Sequence, residues 1–183
     1  EWMAAVPVYS RLMARALGFD GDDVTTIMKN LQLDIGDLHQ FMDFRYRLQD
    51  RQHGEFWLAH CGALMDVEPM GEAFVHGMCH AIEDPTFDAT AGATNPLAQV
   101  RPIHRPPRLP SNRTPHCAWK IDIVAEAAAV APSALEGLVS QSALANLPLP
   151  SYAGDDRGGW PHHSRPFDPG FELDDHSLPA QGV

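Results

Sequence analysis

Each of the three cysteines in this chain adjoins a histidine. They occur as His60-Cys61, as the run from His76 to His80 that contains Cys79, and as His116-Cys117, with His104 between the last two groups. Thiolate and imidazole are the ligands that zinc and similar transition metals prefer. On a helix, His76 and His80 are i, i+4 neighbours and His76 and Cys79 are i, i+3 neighbours, so either pair can point at one ion. On a strand, His60 and Cys61 face opposite ways, as do His116 and Cys117. Each strand therefore offers either its thiol or its imidazole to a given face. Cys117 shares its face with Trp119 and Ile121 and is expected to look inward. The matching inward set is Cys61, Cys79 and Cys117, with His104 or an acidic group as fourth ligand, around zinc or alternatively iron. A catalytic version keeps three protein ligands and one position for water. Cys79 and His80 are then the candidate catalytic pair, thiolate and base, with Glu83 or Asp84 as orienting group.

The same residues have a plainer interpretation. Free cysteine often behaves as a small buried hydrophobe, and neither Cys-x-x-Cys nor His-Glu-x-x-His occurs. His39, His53, His162, His163 and His176 follow no ligand pattern. Trp57, Met65, Phe74, Met78 and Trp119 are candidates to line an apolar pocket for a small organic ligand, although such residues also serve as ordinary core. Arg101, Arg105 and Arg108 lie among prolines and offer forks to a carboxylate or phosphate. In an acidic protein the commoner use of such residues is ion pairing. No glycine-rich phosphate loop is present.

The elements that must position these groups follow from periodicity. Met3, Val6, Tyr9, Leu12, Met13 and Leu17 recur at helical spacing, with the regular part starting near Pro7 and ending at Gly18. A second helix is predicted from Asp23 to Leu31, and a short one from about Ile35 to Met42. The period then changes to two. Phe44 to Gln49 and Glu55 to Cys61 read as strands joined by a turn at Asp50 to Gly54. Helical spacing resumes from Pro69 to Ile82, with Asp84-Pro85 as its stop. A loop rich in Thr, Ala and Gly leads to a proline-marked edge strand, Leu97 to His104. The strand His116 to Ile123 follows. Val124 to Leu147 is rich in alanine and leucine and reads as helix, broken or restarted near Pro132-Ser133.

These elements predict an α+β fold: an antiparallel sheet of about four strands packed against helices, with an extended C-terminal arm. The expected organisation is one domain over residues 1–147, divided into a helical layer at 1–42, a sheet-and-helix core at 43–123 and a helix at 124–147. An extended or partly disordered tail covers 148–183, with Tyr152, Trp160, Phe167 and Phe171 as its apolar anchors.

The stretch Phe56 to Ile123 resembles the vinyl-4-reductase domain and its relative, the 2-amino-thiazoline-4-carboxylate hydrolase-like family. The likeness is carried by Phe56-Trp-Leu-Ala-His-Cys61 as a strand ending in Cys and by the helix Met70 to Ile82 with Cys79. The closing strand His116-Cys117-Ala-Trp-Lys-Ile121 completes it. The resemblance implies an α+β fold around an apolar pocket, with the cysteines holding a structural metal or lining that pocket. This chain departs from the pattern before the closing strand, where the loop Arg105 to Pro115 has no cysteine and His104 is the nearest soft ligand. A four-thiolate site is thereby excluded.

The chain has 183 residues and a formal charge of −11. That charge argues against nucleic acid or an anionic membrane surface as main partner. No apolar run approaches the roughly 20 residues needed to span a bilayer. No signal peptide is visible, and the first residue, Glu1, leaves a trimmed N-terminus open. Three cysteines do not make a disulfide framework, so the default location is the cytoplasm. The preferred function is a metal-binding small-molecule domain, with hydrolysis of a small organic ring or amide as its catalytic form. The alternative is a non-catalytic subunit or interaction protein whose aromatic arm wraps a partner chain, or a homo-oligomer joined through that arm. The sequence leaves enzyme and binding module undecided.

Overall fold

A computed structural model describes residues 2–19, 21–34, 36 and 40–148. The tail anchors, His39 and half of the short helix expected from about Ile35 to Met42 lie outside the described residues; of its other half, Gly36, Gln40 and Phe41 are turn and Met42 is already strand. The chain forms an α+β fold. The sheet has four antiparallel strands, β1 (Met42–Leu48), β2 (His53–Cys61), β3 (Ala98–His104) and β4 (Cys117–Ile123), in the order β1-β2-β4-β3. One face carries Phe44, Tyr46, Phe56, Leu58, Val100, Trp119 and Ile121, all buried. The other carries residues such as Arg47, Glu55, Lys120 and Asp122, because side chains alternate along a strand. The proline-marked strand β3 is at the sheet's edge, where a missing N–H costs no ladder bond.

Helices cover the apolar face. The first, α1 (Trp2–Leu17), includes Pro7 inside it, so one turn precedes the expected start. Only the bond from residue 7 to the Met3 carbonyl is lost there, and Met3 is exposed. Gly18 ends the helix at φ +75°, the left-handed conformation that glycine adopts without strain. Next comes α2 (Val24–Gln32), capped by the Asp23 carboxylate, which accepts the Thr26 N–H at 3.1 Å. Its Val24, Ile27, Met28 and Leu31 enter the core.

After β2 the chain is helical for longer than its periodicity implies. It passes through α3 (Gly62–Val67), a 3₁₀ turn (Glu68–Met70), α4 (Glu72–His76), a π-helical segment (Gly77–Ile82) and α5 (Glu83–Thr94). Asp84-Pro85 is therefore not a stop, and the Thr/Ala/Gly-rich stretch is helix. Proline normally collides with the carbonyl four residues back. Here that residue is Ala81, inside the widened π segment, where the i→i−4 pattern is already given up. Thr86 then donates its hydroxyl to the Ile82 carbonyl at 2.7 Å, satisfying an acceptor at the junction.

Residues 124–133 are not helical. The helix restarts as α6 (Ala134–Ser140), capped by Ser133. Instead of coiling, the preceding stretch runs alongside the fold: the Val130 N–H donates to the Pro96 carbonyl at 2.8 Å, and Val130 rests on Gly92.

Gly54 is where α2 meets the sheet. A Cβ there would run into Met28 Cε and come within 2.9 Å of Val24 Cγ1 and 3.3 Å of the Arg47 carbonyl oxygen. Both apolar neighbours are fully buried, so little can yield. Gly54→Ala is expected to destabilise the fold by about 1–3 kcal/mol. A denaturant titration should show a lower midpoint at unchanged slope; an unchanged midpoint would mean that α2 is not seated on this residue.

Candidate functional site

The three cysteines lie toward one end of the sheet, within electrostatic range of one another. Cys61 closes β2, Cys117 opens β4, and Cys79 comes down from the π-helical segment; all three are buried free thiols in one core cluster. The inward placement of Cys61 depends on a β-bulge. Phe44 pairs with Leu58 but Asp43 pairs with His60, so Ala59 is the extra residue on β2. Without it, the alternation of Phe56 and Leu58 would carry His60 inward. The bulge reverses the parity, leaving His60 exposed and Cys61 buried.

A second bulge acts on His104. Pro102 pairs with Trp119, and His104 pairs with Ala118 after one skipped residue. His104 thus belongs to the face opposite Cys117, and the fold does not bring it to the thiols. Burial and the Arg113 guanidinium hold its pKa below the usual imidazole value. Sheet pairing has sorted the ligand types: thiols to the inner side, imidazoles to the outer.

On the inner side the acidic neighbour is Glu83, one turn beyond Cys79. Its carboxyl is desolvated and lies beside the Asp84 carboxylate, and together these push its pKa up to about 7. Burial pushes Cys79 up to about 12, with added repulsion from the Glu83 and Cys61 charges. Burial likewise raises Cys117, and Cys61, Glu83 and Cys79 add to that effect. The four groups are electrostatic neighbours. Among the described residues, however, no three His, Cys, Asp or Glu side chains are gathered closely enough to hold an ion as they stand. The Cys61 sulfur accepts the Leu64 N–H at 3.4 Å, serving as the cap of α3.

On the outer side, His116 is buried and accepts the Cys61 N–H at 3.1 Å, with the His60 ring 5.5 Å away. Burial and the Arg108 guanidinium hold its pKa down. Arg108 forks onto Glu68, Nε to Oε1 at 2.9 Å and Nη2 to Oε2 at 2.5 Å. That fork ties the loop after β3 to the 3₁₀ turn. Arg105 pairs with Asp84 and Arg101 with Asp88. Each of the three arginines read as a possible ligand grip is thus engaged by its own carboxylate.

His80 stands apart from the thiol next to it. Its Nε2–H donates to the Pro106 carbonyl at 2.6 Å, and its ring stacks on His76 at 4.5 Å. The candidate pocket residues are also dispersed. Trp119 is core, and Met78 packs against that core. Trp57 pairs with Ala118 on the outer face beneath the Arg47 guanidinium, and Phe74 is exposed. Sequence reasoning had Glu83 only as an orienting group for a histidine. What marks it is its i, i+4 relation to Cys79, legible once the helix is allowed to run through Pro85.

No protein-family model, curated protein or solved structure matches this chain. Among the described residues no helix is long and apolar enough to cross a membrane.

The Glu83 pKa has a measurable consequence. Between the ordinary carboxyl value near 4.5 and about 7, the folded state holds a proton that the unfolded state has released. Stability therefore falls as pH rises through that window and levels off above it. Glu83→Gln should flatten this slope and, at pH 8, stabilise the protein by on the order of 2 kcal/mol. Denaturant melts at pH 5 and pH 8 test this; equal slopes in both proteins would place the Glu83 carboxyl in solvent.

Proposed function

We propose that this chain is a metal-binding small-molecule domain in which Cys61, Cys79 and Cys117 take up zinc, with iron as the other candidate, and Glu83 handles protons beside them. The observation that supports this reading is the convergence of three cysteines, from two strands and a π-helical segment, with a carboxyl titrating near neutrality. Three soft donors of one kind suit zinc in chemical type, and a fourth position remains for water or a ligand. Bound there, the ion would supply Lewis-acid activation of a carbonyl or water.

The protein's own part is distinct. Burial pushes the Cys79 thiol up to about 12 and raises the Cys117 thiol too, so both are protonated at neutral pH. Uptake of an ion must expel those protons and draw the sulfurs together, so affinity rises with pH. Glu83 has the poise that general acid–base work near pH 7 asks for. Its carboxyl sits on the thiol side of the sheet, whereas His80 is occupied with Pro106. Hydrolysis of a small ring or amide is the activity such an arrangement would serve.

The test is elemental mass spectrometry on the purified full chain and on Cys117→Ser, paired with thermal melts with and without added zinc. The expected result is near-stoichiometric zinc or iron in the wild type, lost in the variant, with a zinc-dependent rise in melting temperature only in the former. Metal-free wild type whose melting point ignores zinc would leave the cysteines as core thiols and remove this function.

A further inference from the structure

A second feature lies among the helices, built from residues that the thiol cluster does not use. The layer of α1, α2 and α5 borders a half-open cleft of about 370 Å³, within the range of small-molecule sites. Arg11, Arg15, Thr26, Asn30 and Thr94 are in its wall, and Gly21 closes one side. A Cβ on Gly21 would strike Thr26 Oγ1, so the loop hugs α2 as only glycine allows.

Arg11 and Arg15 are one turn apart on α1, a spacing at which like charges repel. Arg11 is relieved by Glu136 at 2.6 Å. Arg15 is not. Its Nε donates to the Arg11 carbonyl at 3.3 Å, and it has no carboxylate partner among the described residues. In a chain of net charge −11, seven of the eight other described arginines do have one, Arg113 being the exception: Arg11, Arg45, Arg47, Arg51, Arg101, Arg105 and Arg108. The position of Arg15 in the last turn of α1 suits the helix dipole, which accounts for a cation there but not for the polar wall facing it.

That wall is polar where helices pack. Asn30 is 2% exposed; its Nδ2 donates to Thr94 Oγ1 at 3.2 Å, while its Oδ1 has no partner. Ser10, one turn before Ala14 of the same wall, is 1% exposed and its Oγ is likewise unpartnered. Asn30 Oδ1 is an acceptor and cannot face an anion, so the donors this wall offers are the Arg15 guanidinium and the Thr94 hydroxyl. Because Thr94 Oγ1 accepts from Asn30, its own hydroxyl proton remains to be given.

We propose that this cleft binds a small organic molecule through an oxyanion, a carboxylate or a phosphate group, held by the Arg15 fork and the Thr94 hydroxyl. Asn30 sets the direction of the Thr94 hydroxyl, and Glu136 keeps Arg11 at the rim. The site is separate from the thiol cluster and needs no metal.

Calorimetric titration of the full chain with inorganic phosphate and, separately, with acetate at fixed ionic strength tests the assignment. Saturable binding of at least one anion is expected, weakened at least about tenfold in Arg15→Gln. Arg15 is exposed, so the variant should melt like the wild type; Thr94→Val, which removes only the hydroxyl, provides the comparison if it does not. Preference for phosphate assigns a phosphoryl group, and preference for acetate a carboxylate. Failure of both anions to saturate, or wild-type binding by both variants, would overturn the site.

Discussion

Phe56 of β2 and Trp119 of β4 lie side by side on the inner face of the sheet, ring centroids 6.3 Å apart, and Phe87 of α5 stands edge-on to both at 5.0 and 4.9 Å. Edge-to-face pairs of this kind add about 0.5–1.5 kcal/mol each beyond their buried area. The three rings do more than fill space. They fix α5, which begins at Glu83, over the two central strands, and α5 is continuous with the π-helical segment that brings Cys79 to the strand ends. Phe44 extends the contact to β1, edge-on to Phe87 at 6.4 Å. Every group at the thiol end of the sheet is therefore referred, directly or through one helix, to this aromatic joint.

Much of this frame is written in local periodicity. The alternation of Cys117, Trp119 and Ile121 marks β4 and its inner face, and Asp23 ahead of Val24 and Ile27 marks a capped helix. What periodicity does not contain is pairing. The bulges at Ala59 and before His104 arise from how one strand meets its neighbour, and nothing in either strand alone announces them. They nevertheless determine which of two adjacent ligands faces the core. Cys61 takes the inward place and His60 and His104 face outward. Pro85 misled for a related reason: a proline breaks a regular α-helix, but the preceding turn is not regular. A boundary drawn there also conceals the i, i+4 relation of Glu83 to Cys79.

The two sides of the sheet end are chemically unlike. On the inner side, desolvation keeps the Cys79 and Cys117 thiols neutral and holds the Glu83 carboxyl protonated until the pH reaches about 7. Outside, charge is retained and matched, with Arg108 on Glu68 and Arg105 on Asp84. Such a boundary lets an acidic chain hold ionisable groups against its core without leaving an uncompensated charge there.

The hydrogen bond from the Cys61 backbone to His116 crosses that boundary, and it has a direction. A backbone N–H can only give, so Nδ1 must be the unprotonated nitrogen. A neutral imidazole has one proton, which must then sit on Nε2. The tautomer of His116 is therefore dictated by the end of a strand. The ring is polarised accordingly: it receives from the core side, and its far edge can offer only a donor. Any group seated against that edge has to be an acceptor.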